Sequence, residues 1–256
     1  MLRKEFLNTV QEIINSKKEE EEKRYEKIIE HMSLLSKCEK ITGDILEKEL
    51  ALKELPTVIN EEGYFKEFIK ITDQKGTITE TEIFYLLKGK QVSCLHTLET
   101  TETWTWLGGE EISLFVATEQ EFKPIILNKN NSTYIIEKGT LFGAKINNHK
   151  NDNDFGLVTC LCKPGFIPKH YSNPTLKELD SLKKKYPEYK SVIDELTPKE
   201  FKNPNNMNKA TSSDESIYNN SKNNFIRSAF LFCAQCIGIK KNEEQTPLIN
   251  SPQNNR

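Results

Sequence analysis

The sequence predicts an all-β core, a sandwich or closed barrel, with helices before and after it. Between residues 58 and 167, about nine short apolar runs alternate with Gly, Asn or Asp, the spacing typical of all-β domains. Folds of the βαβ type would instead place a helix between successive strands. On both sides of this region, apolar residues recur at helical spacing.

The strands are predicted from short apolar or alternating runs that end at turn-forming residues. They lie at 64–71, 82–88, 92–98, 102–107, 112–117, 122–127, 132–136, 141–146 and 156–162. Cys160 and Cys162 alternate along the last run, so both are expected on one side of a sheet as core residues.

Helices are predicted on either side of these strands. Residues 44–55 form an amphipathic helix, with Thr42 or Asp44 as its N-cap and Pro56 as its end. Residues 175–196 form two short helices, because Pro187 interrupts the helical pattern.

Composition divides the chain into five segments. They are a charged helical extension (1–40), a barrel domain with C-terminal helices (41–198), an Asn/Ser-rich linker (199–224), an apolar segment (225–240) and a polar, disordered tail (241–256). The helical extension is either solvated or a partner-binding arm. The apolar segment is too short to span a bilayer, so it either docks as a helix or makes a weak membrane or protein contact.

Charge and cysteine content exclude some classes of function. The net charge is −2, which gives no electrostatic reason to expect nucleic acid as a partner. No apolar signal-peptide pattern opens the sequence, so a cytoplasmic location with reduced thiols is expected. Cys233 and Cys236 have redox or metal spacing, but no second pair matches them.

Five stretches in order carry a family resemblance. The run from Asn60 to Glu67 is followed by matching stretches at 82–87, 92–104, 136–144 and 162–166. Together they resemble the motifs of the cupin-5 family, which are small and largely uncharacterised cupins. The resemblance implies a cupin jelly-roll barrel, or double-stranded β-helix, of the type shared with deoxysugar epimerases, germins and many dioxygenases. It also implies a homodimer and a cavity for a small-molecule ligand, with a carbohydrate or nucleotide sugar as the expected class.

The same resemblance places a metal motif on the chain with half its ligands missing. His96 takes the position of the first histidine, Glu102 that of the glutamate and Gly109 that of the closing glycine. Leu98 and Phe142 stand at the other two histidine positions. A catalytic divalent ion usually has at least three protein ligands, so we expect neither a metal nor another cofactor.

A second use for His96 is acid–base chemistry. Related epimerases work without metal, using a histidine base and a tyrosine acid, so the resemblance makes His96 a candidate base and Tyr64 and Tyr85 candidate acids. Glu67 is a candidate polar anchor for a ligand. Alternatively, His96 is an interior histidine that is hydrogen-bonded to Glu102 and catalyses nothing.

The remaining candidate ligand-binding residues are Glu102, Trp104, Trp106 and Phe142. The two tryptophans alternate and should face one side of a strand, where they either stack on a ligand or pack in the core or an interface. Three hypotheses result: a ligand-binding cupin, a metal-independent isomerase using His96, and a non-catalytic interaction protein. The third predicts that Leu98, Phe142 and Trp106 fill the cavity.

Overall fold

A computed structural model describes residues 41–55, 61–118 and 120–202. The predictions for 1–40, 225–240 and 241–256 fall outside these residues, as does the linker prediction beyond Lys202. The first linker residues form a short helix, Lys199–Lys202. Among the described helices, none combines the length and the apolar character needed to cross a bilayer.

The described strands form two sheets that face each other. The strands are β1 (Lys53–Glu54), β2 (Tyr64–Thr72), β3 (Ile78–Lys88), β4 (Val92–Leu98), β5 (Thr101–Gly109), β6 (Ile112–Ala117), β7 (Phe122–Leu127), β8 (Thr133–Ile136), β9 (Leu141–Ile146), β10 (Phe155–Lys163) and β11 (Tyr171–Ser172). Sheet 1 has the order β1-β2-β3-β10-β5-β8 and sheet 2 the order β11-β4-β9-β6-β7. The strand pairs among the described residues are antiparallel, and strands distant in sequence lie side by side, which confirms the predicted double-stranded β-helix.

Helices cover the outer faces of both sheets. They are α1 (Gly43–Glu49), α2 (Leu176–Lys185), α3 (Lys190–Glu195) and α4 (Lys199–Lys202). α1 packs Leu46 on Phe84 and Leu86 of sheet 1, whereas α2 and α3 pack Leu179 and Ile193 on sheet 2. As predicted, the helical pattern breaks at Pro187, which begins a 3-10 turn, Pro187–Tyr189.

The first predicted helix is shorter than the sequence pattern suggests. Thr42 is its N-cap, but it ends at Glu49 instead of near Pro56. Ala51 has a φ of 52°, which ends the α-helical path. The following residues form β1 and pair with β2. Helical periodicity predicted residues 50–55 wrongly, since pairing at a sheet edge overrides local propensity.

A bulge in β4 decides the direction of His96. Ser93 pairs with Ala144 and His96 pairs with Phe142, so the two residues between them on β4 face Gly143 alone. Simple alternation would place His96 on the side of Val92, which packs outward under α2 and α3. The extra residue instead turns His96 toward the interior, where its ring lies 4.1 Å from that of Phe142.

Gly143 allows this bulge to approach β9 closely. A Cβ atom at position 143 would lie 2.9 Å from the Ser93 carbonyl oxygen and 3.2 Å from the Leu95 nitrogen. Both atoms belong to the backbone, so a side chain at this position requires the bulge to move.

We predict that Gly143→Ala lowers the free energy of unfolding by roughly 1–3 kcal/mol and shifts the NMR signals of the His96 imidazole. Gly139→Ala is the control, since Gly139 has a φ of 79° and open space around its Cα. It should cost about 1–2 kcal/mol of backbone strain and leave the His96 signals unchanged. An unperturbed His96 in Gly143→Ala would contradict the role given to the bulge.

Candidate functional site

His96 is paired with a carboxylate inside the barrel. Its Nδ1 lies 2.8 Å from Glu61 Oε1 and 2.7 Å from the Cys94 carbonyl oxygen. The two side chains are only 7% and 6% exposed. Because both neighbours of Nδ1 are acceptors, this nitrogen carries the proton and donates to them.

Glu61 connects three parts of the chain. Its Oε2 accepts a hydrogen bond of 3.0 Å from the Cys94 amide, and its Oε1 accepts one of 3.2 Å from the Tyr171 hydroxyl. The Tyr171 ring stacks on His96 with centroids 4.9 Å apart. One carboxylate therefore joins the segment before β2 to the bulge of β4 and to β11.

These contacts satisfy the backbone groups that the bulge leaves unpaired. The Cys94 amide and carbonyl bind Glu61 and His96, and the Leu95 amide donates to the Leu196 carbonyl at 2.8 Å. Glu62 Oε2 accepts from the Val92 amide at 3.0 Å. Buried backbone groups need such partners, so the acidic pair Glu61–Glu62 acts as a substitute for a neighbouring strand.

Glu102 is not the bonded partner of His96. Its Oε2 accepts from Trp104 Nε1 at 2.7 Å, and its Oε1 lies 3.8 Å from Cys162 Sγ. Glu102 belongs to sheet 1, whereas His96 belongs to sheet 2. The predicted hydrogen bond between His96 and Glu102 is therefore wrong, and the carboxylate bonded to His96 is that of Glu61.

The two candidate tyrosine acids lie on opposite faces of sheet 1. Tyr85 faces the interior, and its hydroxyl donates to the Glu62 carbonyl at 2.6 Å. Tyr64 packs with the outer cluster, and Lys88 Nζ lies 4.3 Å from its ring centroid. Tyr64 is therefore wrong as an acid partner of His96. The pairing of β2 with β3 places Tyr64 opposite Leu86, which is next to Tyr85 in the chain and therefore on the opposite face of the sheet.

Most of the predicted ligand-binding residues are packed in the barrel interior. Trp104 and Phe142 are 2% and 1% exposed, and Leu98 is buried beside them. Trp106 is only partly buried and packs on the same cluster. Both tryptophans therefore lie on one side of β5, as expected, and that side faces the interior. Glu67 is exposed, and its carboxylate lies 4.0 Å from Lys70 Nζ. Cys160 and Cys162 share the interior cluster, which confirms their common side.

Burial and charge shift the pKa values of His96 and Glu102. Burial is the largest single influence on His96 and disfavours its cation. Glu61, the Cys94 carbonyl and Glu102 together outweigh it, so the His96 pKa lies above its ordinary value. Burial raises the pKa of Glu102, and nearby His96 and Trp104 only partly oppose this. The interior therefore favours an imidazolium paired with Glu61.

The donor set does not fit the metal of a typical cupin. Leu98 and Phe142 supply hydrocarbon at two ligand positions. The His96 Nδ1–H already donates to Glu61 and Cys94. In the part of the chain that the structure describes, no three His, Cys, Asp or Glu side chains converge as ligands.

Two clefts open on the outer surface near Asn153. One has a volume of about 350 Å³ and is lined by Thr42, Glu110 and Asn153 among others. The second, of about 470 Å³, includes Asp44, Lys88 and Asn153. His96 lines neither of them.

Glu61 and Tyr171 were not assigned roles from the sequence. Glu61 does lie in the run from Asn60 to Glu67 that carried the resemblance, two residues before Gly63 and the strand that follows. The other available signal was the alternation of side chains along β4. It groups His96 with Val92 and Cys94, which face outward. Tyr171 had no local signal, because only the tertiary fold brings it to His96.

We predict that Glu61→Gln lowers the free energy of unfolding by about 3–5 kcal/mol, because it breaks a buried ion pair. Glu62→Gln is the matched control. It retains an oxygen for the Val92 amide and loses only the ion pair with exposed Lys199, which is worth under about 1 kcal/mol. Urea unfolding measures both, and equal losses would contradict a special role for Glu61.

We also predict that stability falls as pH rises above the ordinary His96 pKa of 6.5. The native state binds the His96 proton more tightly than the unfolded state does, so this stabilisation is complete below 6.5 and is lost as pH passes the native pKa. His96→Gln should flatten the decline in unfolding free energy. The pKa shift of His170 has the opposite sign, because burial lowers the pKa of that residue. His170→Gln should therefore not flatten the decline in unfolding free energy.

Comparison with known proteins agrees with this architecture. The family described as Cupin superfamily (DUF985) matches residues 47–172. A hypothetical protein from Leishmania major is 23% identical, with a TM-score of 0.50 over 61% of this chain and 98% of its own. A protein from Shewanella oneidensis is 22% identical, with a TM-score of 0.52 over 61% and 97%.

At these identities the likeness shows the fold alone. A cupin 2 conserved barrel domain protein from Rhodopseudomonas palustris is 12% identical, with a TM-score of 0.38 over 54% of this chain and 80% of its own. No curated protein matches the chain. The family match and the jelly-roll topology agree with each other. The barrel of this chain, residues 47–172, therefore belongs to the Cupin_5 family of the cupin superfamily.

Proposed function

We propose that this cupin is a non-catalytic scaffold, which works through contacts on its outer surface. The observation that carries the proposal is the use of the interior polar groups for internal hydrogen bonds. His96 donates to Glu61, Tyr171 also donates to Glu61, and Tyr85 donates to the Glu62 carbonyl. These bonds hold β4, β11 and the start of β2 together.

The apolar residues of the interior support the same proposal. Leu98 and Phe142 occupy the positions of metal ligands and pack with Trp104 in one buried cluster. The Trp104 ring meets Phe142 edge-on at 6.3 Å and Tyr85 edge-on at 5.7 Å. Such edge-to-face contacts are characteristic of packed aromatic cores.

The isomerase hypothesis has one observation in its favour. A carboxylate on Nδ1 of a histidine orients the ring and leaves Nε2 for a substrate proton, as in many general bases. The tyrosines oppose it, because burial and the charge of Glu61 raise the pKa of Tyr85 and Tyr171 well above the ordinary range. Both hydroxyls also donate within the protein, so neither is presented as an acid to a substrate.

We predict that Phe142→Ala lowers the free energy of unfolding by about 3–5 kcal/mol, as expected for a large side chain removed from a packed core. Ile135→Ala, at a residue that is 55% exposed, should change it by less than about 0.5 kcal/mol. If Phe142 instead lines an open ligand cavity, its removal should cost little stability.

A thermal-shift screen of sugars and nucleotide sugars tests the proposal directly. We expect no compound to stabilise the wild-type protein in a way that depends on His96. A compound that stabilises the wild type but not a folded His96→Gln variant would overturn the proposal. Turnover of that compound by the wild type alone would favour the isomerase.

A further inference from the structure

The outer face of sheet 1 extends beyond the cluster that α1 covers. α1 packs on Phe84 and Leu86, near the end of β3. Alternate residues of a strand share a face, so Glu82 lies on the same outer face, further from α1. On the neighbouring strand β10, Leu161 lies opposite Glu82, and Thr159 lies opposite Phe84.

Strand pairing continues this part of the face across β5 and β8. Leu161 lies opposite Thr103 of β5, and Thr159 lies opposite Thr105. Thr103 in turn lies opposite Ile135 of β8. We call the four buried residues of this area the far patch: Glu82, Thr105, Thr159 and Leu161.

The far patch is more deeply buried than an open sheet face would be. All four residues are at most 4% exposed, although glutamate and threonine are residue types that mostly remain exposed. Leu161 belongs to none of the apolar clusters within 41–55, 61–118 and 120–202. We propose that residues 25–35 of this chain dock on the far patch as an amphipathic helix.

The ends of the described part of the chain favour this segment over the C-terminal one. Ile41 packs against the outer cluster of sheet 1, so residues 1–40 join the barrel on the side of the far patch. At the other end, Phe201 packs against the outer cluster of sheet 2. Residues 203–256 therefore leave the barrel on the opposite side.

The sequence of this segment suits a sheet face. Its apolar side chains recur at helical spacing and line one side of a helix: Tyr25, Ile28, Ile29, Met32 and Leu35. Charged side chains fall on the opposite side: Glu26, Lys27 and Glu30. Such a helix buries its apolar side against the sheet, and a molecule that approaches this side of the barrel meets charges instead of the sheet.

The dimensions of the segment also fit. Eleven residues of helix span about 16 Å, and the four strands β2, β3, β10 and β5 span about 14 Å between their outer axes at the usual strand spacing. Glu82 is four residues from Leu86, or about 13 Å along β3. Residues 36–40 reach up to about 17 Å when extended, so they can connect the docked helix to Ile41.

Photo-crosslinking on the full chain tests the docking. Benzoylphenylalanine in place of the exposed Ile135, beside the far patch, should form crosslinks to residues 25–35. In an equimolar mixture of nitrogen-15-labelled and unlabelled chains, each crosslink should join peptides of one label only. Benzoylphenylalanine in place of Lys123, on β7 in sheet 2, is the matched control and should not reach residues 25–35.

Substitutions in the segment test the same contact through stability. Met32→Ala and Leu35→Ala should each lower the Tm of the full chain by roughly 4–10 °C, as expected for apolar side chains removed from a packed contact. Glu30→Ala, on the opposite side of the helix, should shift the Tm by less than about 2 °C.

Other outcomes of these experiments would contradict the docking. Crosslinks to residues 225–239 or to a chain of the other label would assign the far patch to the C-terminal segment or to a second copy. Crosslinks to residues 25–35 that are no more frequent than from position 123 would show that the segment does not lie there, and so would equally small Tm shifts in all three variants. These results are independent of the ligand screen and of the scaffold proposal, because the far patch does not involve the barrel interior.

Discussion

The structure depends on the hydrogen bonds that Glu61 makes to the bulge of β4. The bulge turns His96 inward, but it also removes Cys94 and Leu95 from regular pairing with β9. Buried backbone groups that lose their partners destabilise a fold. Glu61 accepts from the Cys94 amide and also holds the histidine that binds the Cys94 carbonyl. The bulge of β4 therefore explains why a buried carboxylate and a buried imidazole are paired at this place.

This dependence links local geometry to the wider barrel. Glu61 lies before β2 in the chain, His96 lies in β4, and Tyr171 lies in β11. Their contacts join β11 and β4, at one edge of sheet 2, to the segment that precedes β2. A buried ion pair is costly to desolvate, and it is tolerated where the remaining donors and acceptors are satisfied. Here Cys94 and Tyr171 supply those additional hydrogen bonds.

Much of the fold was predictable from local patterns. The limits of β4, β6, β7 and β9 match the predicted runs, because turn residues and apolar alternation agree there. The helix at 44–55 was overextended, since β1 pairing is a tertiary effect that periodicity does not contain. The interior cysteines and the common face of Trp104 and Trp106 followed from alternation alone.

The site was less predictable for a physical reason. His96 was identified because it stands at a motif position, but its partner depends on a bulge that appears only once β4 and β9 are paired. Glu102 was chosen because it stands at the glutamate position of the same motif, whereas Glu61 is 35 positions from His96 in the chain and adjacent to it in space. Tyr64 and Tyr85 could not be separated without the register of β2 on β3.

A double-mutant cycle tests the central claim most directly, using Glu61→Gln, His96→Gln and the double variant. If the two residues act as one structural unit that closes the bulge, urea unfolding should give a coupling free energy of about 2–3 kcal/mol. Most of the loss in the double variant should then already be present in each single variant. A coupling below about 0.5 kcal/mol would show that the pair does not stabilise the barrel as a unit and would contradict the account.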